Sequence, residues 1–112
     1  MLPKAKRLTK RLFSESFSHS KITSNDYFTL RYKDISGKTP KVSVVVSKKV
    51  AQKATDRNYL KRKMYEIAQK HLKNIEKPYV LMLFPKKTST TLSFTDLDKE
   101  VREILVRAKI LQ

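Results

Sequence analysis

Two short apolar runs bracket a helical pattern, and this arrangement constrains the fold of the 112-residue chain more than any other feature. The first run, Val42-Ser43-Val44-Val45-Val46-Ser47, is rich in β-branched residues and reads as a strand. Its valines on both faces predict a central position in a sheet. The second, Tyr79-Val80-Leu81-Met82-Leu83-Phe84, is closed off by Pro78 and Pro85 and reads as a buried strand. Between them Leu60, Met64, Ile67, Ala68 and Ile75 recur at the 3.6-residue period, which predicts a helix over 56–74 with Asp56 as N-cap. A strand–helix–strand unit must bury the helix stripe against a sheet.

The flanking segments extend this unit. A short helix is expected over 9–18, with Phe13 and Phe17 four residues apart on one face. A strand is expected over 27–33, followed by a turn at Ser36-Gly37-Lys38 with Pro40, which holds the only glycine. After a polar loop, a last helix should begin near Thr95, with Asp98 completing a capping box and Leu97, Val101, Ile104, Leu105 and Ala108 as its apolar stripe. The order is α-β-β-α-β-α, an α/β (α+β) sandwich of helices on a small mixed sheet. The length fits one domain, 1–112, with residues 1–8 as a basic arm.

Charge narrows the function. Lys and Arg number 26 against 10 acids, a formal net charge of +16. Such a chain repels itself until an anionic partner neutralises it. Nucleic acid is the first candidate, since phosphates bound by Lys and Arg release counterions. A membrane surface is the second, but the apolar faces are of core size and the run at 79–84 is far too short to span a bilayer. There is no cysteine, which excludes disulfides and thiolate metal sites. The basic stretch Lys4, Lys6, Arg7, Lys10, Arg11 precedes no apolar run of signal-peptide length, so a cytoplasmic protein is expected.

The charge is also unevenly placed. Between positions 38 and 63 lie nine cations (Lys38, Lys41, Lys48, Lys49, Lys53, Arg57, Lys61, Arg62, Lys63) and one acid, Asp56, whereas the last helix holds Asp96, Asp98, Glu100 and Glu103. On a helical projection Leu60, Met64, Ile67, His71 and Ile75 share the core sector, and Asn58, Lys61, Arg62, Tyr65, Gln69 and Lys73 the opposite one. Cations, amides and a ring on one face suit RNA, although basic solvated faces are common. Phe13 and Phe17, four residues apart, read by themselves as a core pair, the commoner fate of such aromatic pairs. His71 reads as a satisfied core histidine, and Asp96 and Asp98 as helix-start residues. No catalytic triad, metal spacing or glycine-rich phosphate loop is present in the sequence, so no protein group is assigned to hydrolysis.

The stretch Val44-Val45-Val46-Ser47-Lys48-Lys49-Val50, followed by Ala54, Arg57-Asn58, Lys61-Arg62 and Glu66, resembles the signature of the bacterial ribonuclease P protein family. Leu2-Pro3, Lys6-Arg7-Leu8, Phe13, Phe17, Ser24-Asn25 and Phe28 resemble the family's opening. Departures are Ala51 where a glycine is common, Tyr59 where the second arginine of an Arg-Asn-Arg motif usually stands, and Tyr65 where another arginine is common.

The resemblance implies a protein subunit that assists a catalytic ribonuclease P RNA in removing the 5′ leader of precursor tRNA. It implies a left-handed strand–helix–strand crossover, and magnesium ions held mainly by the RNA, with none in a protein-only site. Lys48, Lys49, Lys53, Arg57, Asn58, Lys61, Arg62 and Tyr65 are then expected at the RNA subunit. Phe13, Phe17 and either Arg31 or Tyr32 are expected at a leader cleft, Arg31 standing where the family often has a tyrosine. Arg57 could instead pack back on its loop, and Tyr59 and Tyr65 could bind RNA or only fill space. The alternative is a structural RNA-binding protein such as a ribosomal component.

Overall fold

The computed structural model describes residues 8–35 and 39–111. The turn at 36–38, and all of the arm except Leu8, lie outside the described residues. Along the chain run α1 (Lys10–Phe17), β1 (Lys21–Ser24), β2 (Phe28–Asp34), β3 (Lys41–Val44), α2 (Ala54–Leu72), β4 (Tyr79–Pro85) and α3 (Phe94–Arg107). A 3-10 turn, Lys87–Thr91, fills the polar loop before α3.

The four strands form one mixed sheet in the order β1-β2-β4-β3. β1 pairs antiparallel with β2, β2 antiparallel with β4, and β3 parallel with β4. The parallel pair is joined by α2, the strand–helix–strand unit expected from the apolar runs. β4 is the strand buried on both faces: Val80, Leu81, Met82 and Leu83 are each at most 2% exposed. Fully burying a side chain of that size contributes about 1.5–3 kcal/mol, so β4 anchors the sheet.

Four details differ from the sequence reading. β1 is an added strand, recognisable only by its pairing with β2, because Lys-Ile-Thr-Ser carries no apolar alternation. β3 sits at an edge rather than the centre and ends at Val44; Val45 extends the contact by donating its N–H to Leu83 O at 2.9 Å. α2 starts at Ala54 with Lys53 as N-cap, which leaves Asp56 in the first turn near the positive end of the helix dipole. α3 is capped by Ser93, whose side chain accepts the Asp96 N–H, and not by Thr95.

The main core lies between one sheet face and the helices α2 and α3. Phe28, Leu30, Val42, Val44, Leu81 and Leu83 from the sheet meet Leu60, Met64, Ile67 and Leu72 of α2 and Leu97, Val101, Ile104 and Leu105 of α3. The chain then reverses at Lys109, whose φ of 62° is a left-handed conformation normally given to glycine. That turn brings the N–H groups of Ile110 and Leu111 onto Leu105 O and seats both side chains on the core.

Candidate nucleic-acid interface

Successive strand residues point to opposite faces, so the sheet separates two surfaces. Phe28, Leu30 and Tyr32 face the main core, while Thr29, Arg31 and Lys33 face the side carrying α1. The register Thr29↔Phe84 and Arg31↔Met82 puts Phe84 and Met82 on that second side.

α1 begins at Thr9, whose hydroxyl accepts the Leu12 N–H at 3.1 Å. The helix leans Phe13 and Phe17 over the sheet, their rings stacked with centroids 5.9 Å apart. Phe17 meets Phe84 edge-on at 6.3 Å. The Arg31 guanidinium lies 4.1 Å above the Phe17 ring and donates to Ser20 Oγ at 3.3 Å. Phe17 nevertheless stays 38% exposed. The result is a ring-lined cleft with a cation resting over its most exposed ring. Arg31 belongs to it. Tyr32 does not: its ring turns to the core side and packs edge-on against Tyr79 at 6.3 Å. Phe84 is a cleft residue that the sequence reading assigned only to a buried strand; as the last residue of an apolar run, opposite in parity to Leu81 and Leu83, it could have been noticed.

The second surface is the loop after β3 together with the exposed side of α2. The loop turns at Ser47, whose carbonyl accepts the N–H groups of Val50 and Ala51. Arg57 then ties loop to helix, its Nη1 donating to Ala51 O at 2.9 Å and Gln52 O at 2.7 Å. Arg57 is thus a positioning residue for the loop. Lys48, Lys49, Lys53, Asn58, Lys61 and Arg62 are all exposed. From Ala54 to Arg62 the helix rises only about 12 Å, so these cations share one compact surface. Among the described residues none of the ion pairs uses Lys48, Lys49, Lys53, Lys61 or Arg62.

Tyr65 leaves the expected RNA-facing set. Its ring packs against the core and its Oη accepts the Val44 N–H at 3.1 Å. An edge strand presents outward N–H groups that need partners, and Tyr65 reaches sideways from α2 to satisfy one. The helical projection missed this because it treats the sheet as lying directly beneath the helix.

Two acids of α3, Asp98 and Glu103, hold contacts of their own. Asp98 pairs with Lys70 at 2.7 Å and with His71 Nε2. The Lys70 hydrogen bond, then that of His71, holds its carboxyl below the usual carboxylate range against the opposing effect of burial. Glu103 is held low first by the hydrogen bond from Asn25 and then by Arg107. His71, only 6% exposed, is a satisfied core histidine. Among the described residues no three His, Asp or Glu side chains gather to form a metal cage, and no helix is long and apolar enough to cross a membrane.

The family model for ribonuclease P matches residues 2–109. The chain belongs to the ribonuclease P protein family. The ribonuclease P protein component of Synechococcus sp. (strain JA-2-3B'a(2-13)) is 28% identical over 116 residues, covering 99% of this chain and 87% of its own. That of Pseudanabaena sp. (strain PCC 6903) is 26% identical over 113 residues, covering 99% and 97%. The ribonuclease P protein of Thermotoga maritima superposes with a TM-score of 0.80 at 27% identity, over 90% of this chain and 96% of that one. The Staphylococcus aureus protein gives 0.85 over 97% and 100%, and at 19% identity it bears on the fold alone. Membership makes the chain a protein subunit of ribonuclease P, a ribonucleoprotein of tRNA processing, and sets the ribosomal alternative aside.

Proposed function

We propose that this subunit binds the ribonuclease P RNA through the loop at 47–53 and the exposed side of α2, and holds the 5′ leader of precursor tRNA in the cleft between α1 and the sheet. The observation that carries the first part is the compact set of exposed cations, Lys48, Lys49, Lys53, Lys61 and Arg62, unpaired within the described chain. Arg and Lys neutralise phosphates there, and Asn58 reaches a base edge or a 2′-hydroxyl. The second part rests on the half-exposed Phe17, with Phe13 stacked beside it, Phe84 edge-on and the Arg31 guanidinium over its ring; an unpaired base stacks there in place of the guanidinium, which then meets the adjoining phosphate. Leader removal is then phosphodiester hydrolysis on the RNA, with magnesium ions held by the RNA, and the protein's task is to position the substrate. The complex works in the cytoplasm.

Reconstitution tests this reading. Adding the chain to ribonuclease P RNA should speed precursor-tRNA cleavage at low magnesium. Lys61→Ala with Arg62→Ala should weaken RNA-subunit binding and reduce the log–log salt slope by about 0.7–0.9 per lost phosphate contact. An unchanged slope would remove α2 from the interface.

A further inference from the structure

The exposed side of α2 ends in a hollow that phosphate neutralisation alone does not explain. Its volume is about 350 Å³, and it is lined by Val50, Ala51, Asp56, Tyr59, Leu60, Lys63 and Thr90. Three elements meet there: the loop after β3, the first turns of α2 and the 3-10 turn. Val50, Ala51 and the buried Leu60 supply an apolar floor. Tyr59 supplies a ring left 59% exposed, far more than packing requires. The Lys63 ammonium rests 4.3 Å from the ring centre. Asp56 supplies the only carboxylate of the lining and Thr90 a hydroxyl.

We infer that this hollow receives one unpaired nucleobase of the RNA subunit, stacked on Tyr59. The inference rests on the RNA-binding reading above and adds a single-base pocket to it. Its size lies at the small end of ligand sites, and its lining sets an apolar floor and a ring beside a carboxylate, an ammonium and a hydroxyl. Unpaired RNA bases are characteristically held by ring stacking plus hydrogen bonds to their edges. An exposed cation–π contact is weaker than base stacking, so the base displaces Lys63 from the ring and Lys63 moves to the adjoining phosphate. Asp56 then selects the base. A carboxylate only accepts hydrogen bonds, so it favours guanine, whose N1–H and N2–H₂ donors lie side by side. It disfavours uracil, whose single ring N–H sits between two carbonyl oxygens. The source is the RNA subunit and not the leader, because α2 and the α1 cleft lie on opposite sides of the sheet.

The test uses the full chain with ribonuclease P RNA and with single-stranded pentauridylates carrying a central guanosine or uridine. Tyr59→Leu should weaken RNA-subunit binding at least fivefold with an unchanged salt slope, whereas Tyr59→Phe should stay within twofold of the parent. The guanosine pentamer should bind more tightly than the uridine one, and Asp56→Asn should remove that preference. Circular dichroism should show all three variants folded; the two variants of the exposed Tyr59 should unfold at the parent's midpoint, and Asp56→Asn slightly below it through the lost charge at the helix start. Unchanged affinity in Tyr59→Leu, an equal loss in Tyr59→Phe, or equal binding of the two pentamers would overturn the pocket. A loss in Tyr59→Leu confined to leader-bearing tRNA would overturn its assignment to the RNA subunit. If Lys61→Ala with Arg62→Ala still weakens binding while Tyr59→Leu does not, the pocket fails and the wider interface stands.

Discussion

Replacing Asn25 by alanine should destabilise the fold by about 3.5 kcal/mol, because this one amide ties the turn between β1 and β2 to α3. Its Oδ1 accepts the N–H groups of Tyr27 at 2.9 Å and Phe28 at 2.8 Å. Its Nδ2 donates to Glu103 Oε2 at 2.8 Å and Glu100 O at 3.3 Å. The two backbone bonds contribute about 1 kcal/mol each. The bond to the Glu103 carboxylate is charge-assisted, but its partner is 40% exposed, so the lower end of the range, about 1.5 kcal/mol, applies. The loss is a large share of the 5–15 kcal/mol typical of a small domain. Urea unfolding of the free protein should show a lower midpoint with an unchanged slope. Asn25→Asp sharpens the test. It keeps both acceptor bonds but places a second carboxylate beside Glu103, so like-charge repulsion should be strongest at neutral pH and fade as the solution is acidified toward the carboxylate range. A cost below about 1 kcal/mol for Asn25→Ala, or an Asn25→Asp variant whose deficit does not shrink with falling pH, would refute this account of the turn.

Three further outcomes are expected. Asp98→Asn should cost stability at neutral pH: the folded pKa is depressed, so the stabilisation is full above the unfolded carboxylate value of about 3.9 and disappears as pH falls through the folded value, where parent and variant melts should converge. Tyr65→Phe should lower stability by about 1 kcal/mol in denaturant unfolding, through the lost Val44 bond, and leave RNA-subunit affinity unchanged; a change in affinity without a change in stability would return Tyr65 to the interface. Phe17→Ala should weaken binding of precursor tRNA about tenfold, within the 1–3 kcal/mol of a stacked base, while mature tRNA binding holds; an equal loss for both would make Phe17 a packing residue.

Periodicity made the long elements legible. α2 and β4 follow from apolar spacing and two prolines, because burial dictates both. What the pattern hid was lateral placement. Val42 to Val46 reads as a central strand, yet β3 is an edge, with Val42 and Val44 buried in the core and the outward Val44 N–H taken by Tyr65 of α2. β1 pairs through its backbone, and four residues with one exposed isoleucine leave no hydrophobic trace. Ser93 and Thr95 are both good caps, and the role falls to Ser93, whose backbone is extended and whose hydroxyl takes the Asp96 N–H. At the candidate site, composition and spacing pointed to the exposed cations. They could not show that Arg57 is committed to loop carbonyls, that Tyr65 serves an edge N–H, or that strand parity gives Arg31 rather than Tyr32 to the cleft.

The separation of charge has a thermodynamic consequence. Asp98 pairs with Lys70 and His71 at the far end of α2 and Glu103 with Arg107, so among the described residues Lys48, Lys49, Lys53, Lys61 and Arg62 have no ion pair within the chain. A polyanion that engages only the folded form adds about 2.7 kcal/mol when present at a hundred times its dissociation constant. Under the proposed RNA binding, the free subunit would be less stable than the assembled one. Its abundance in a cell would follow the supply of its RNA, and unassembled copies would be the first to be lost to proteolysis.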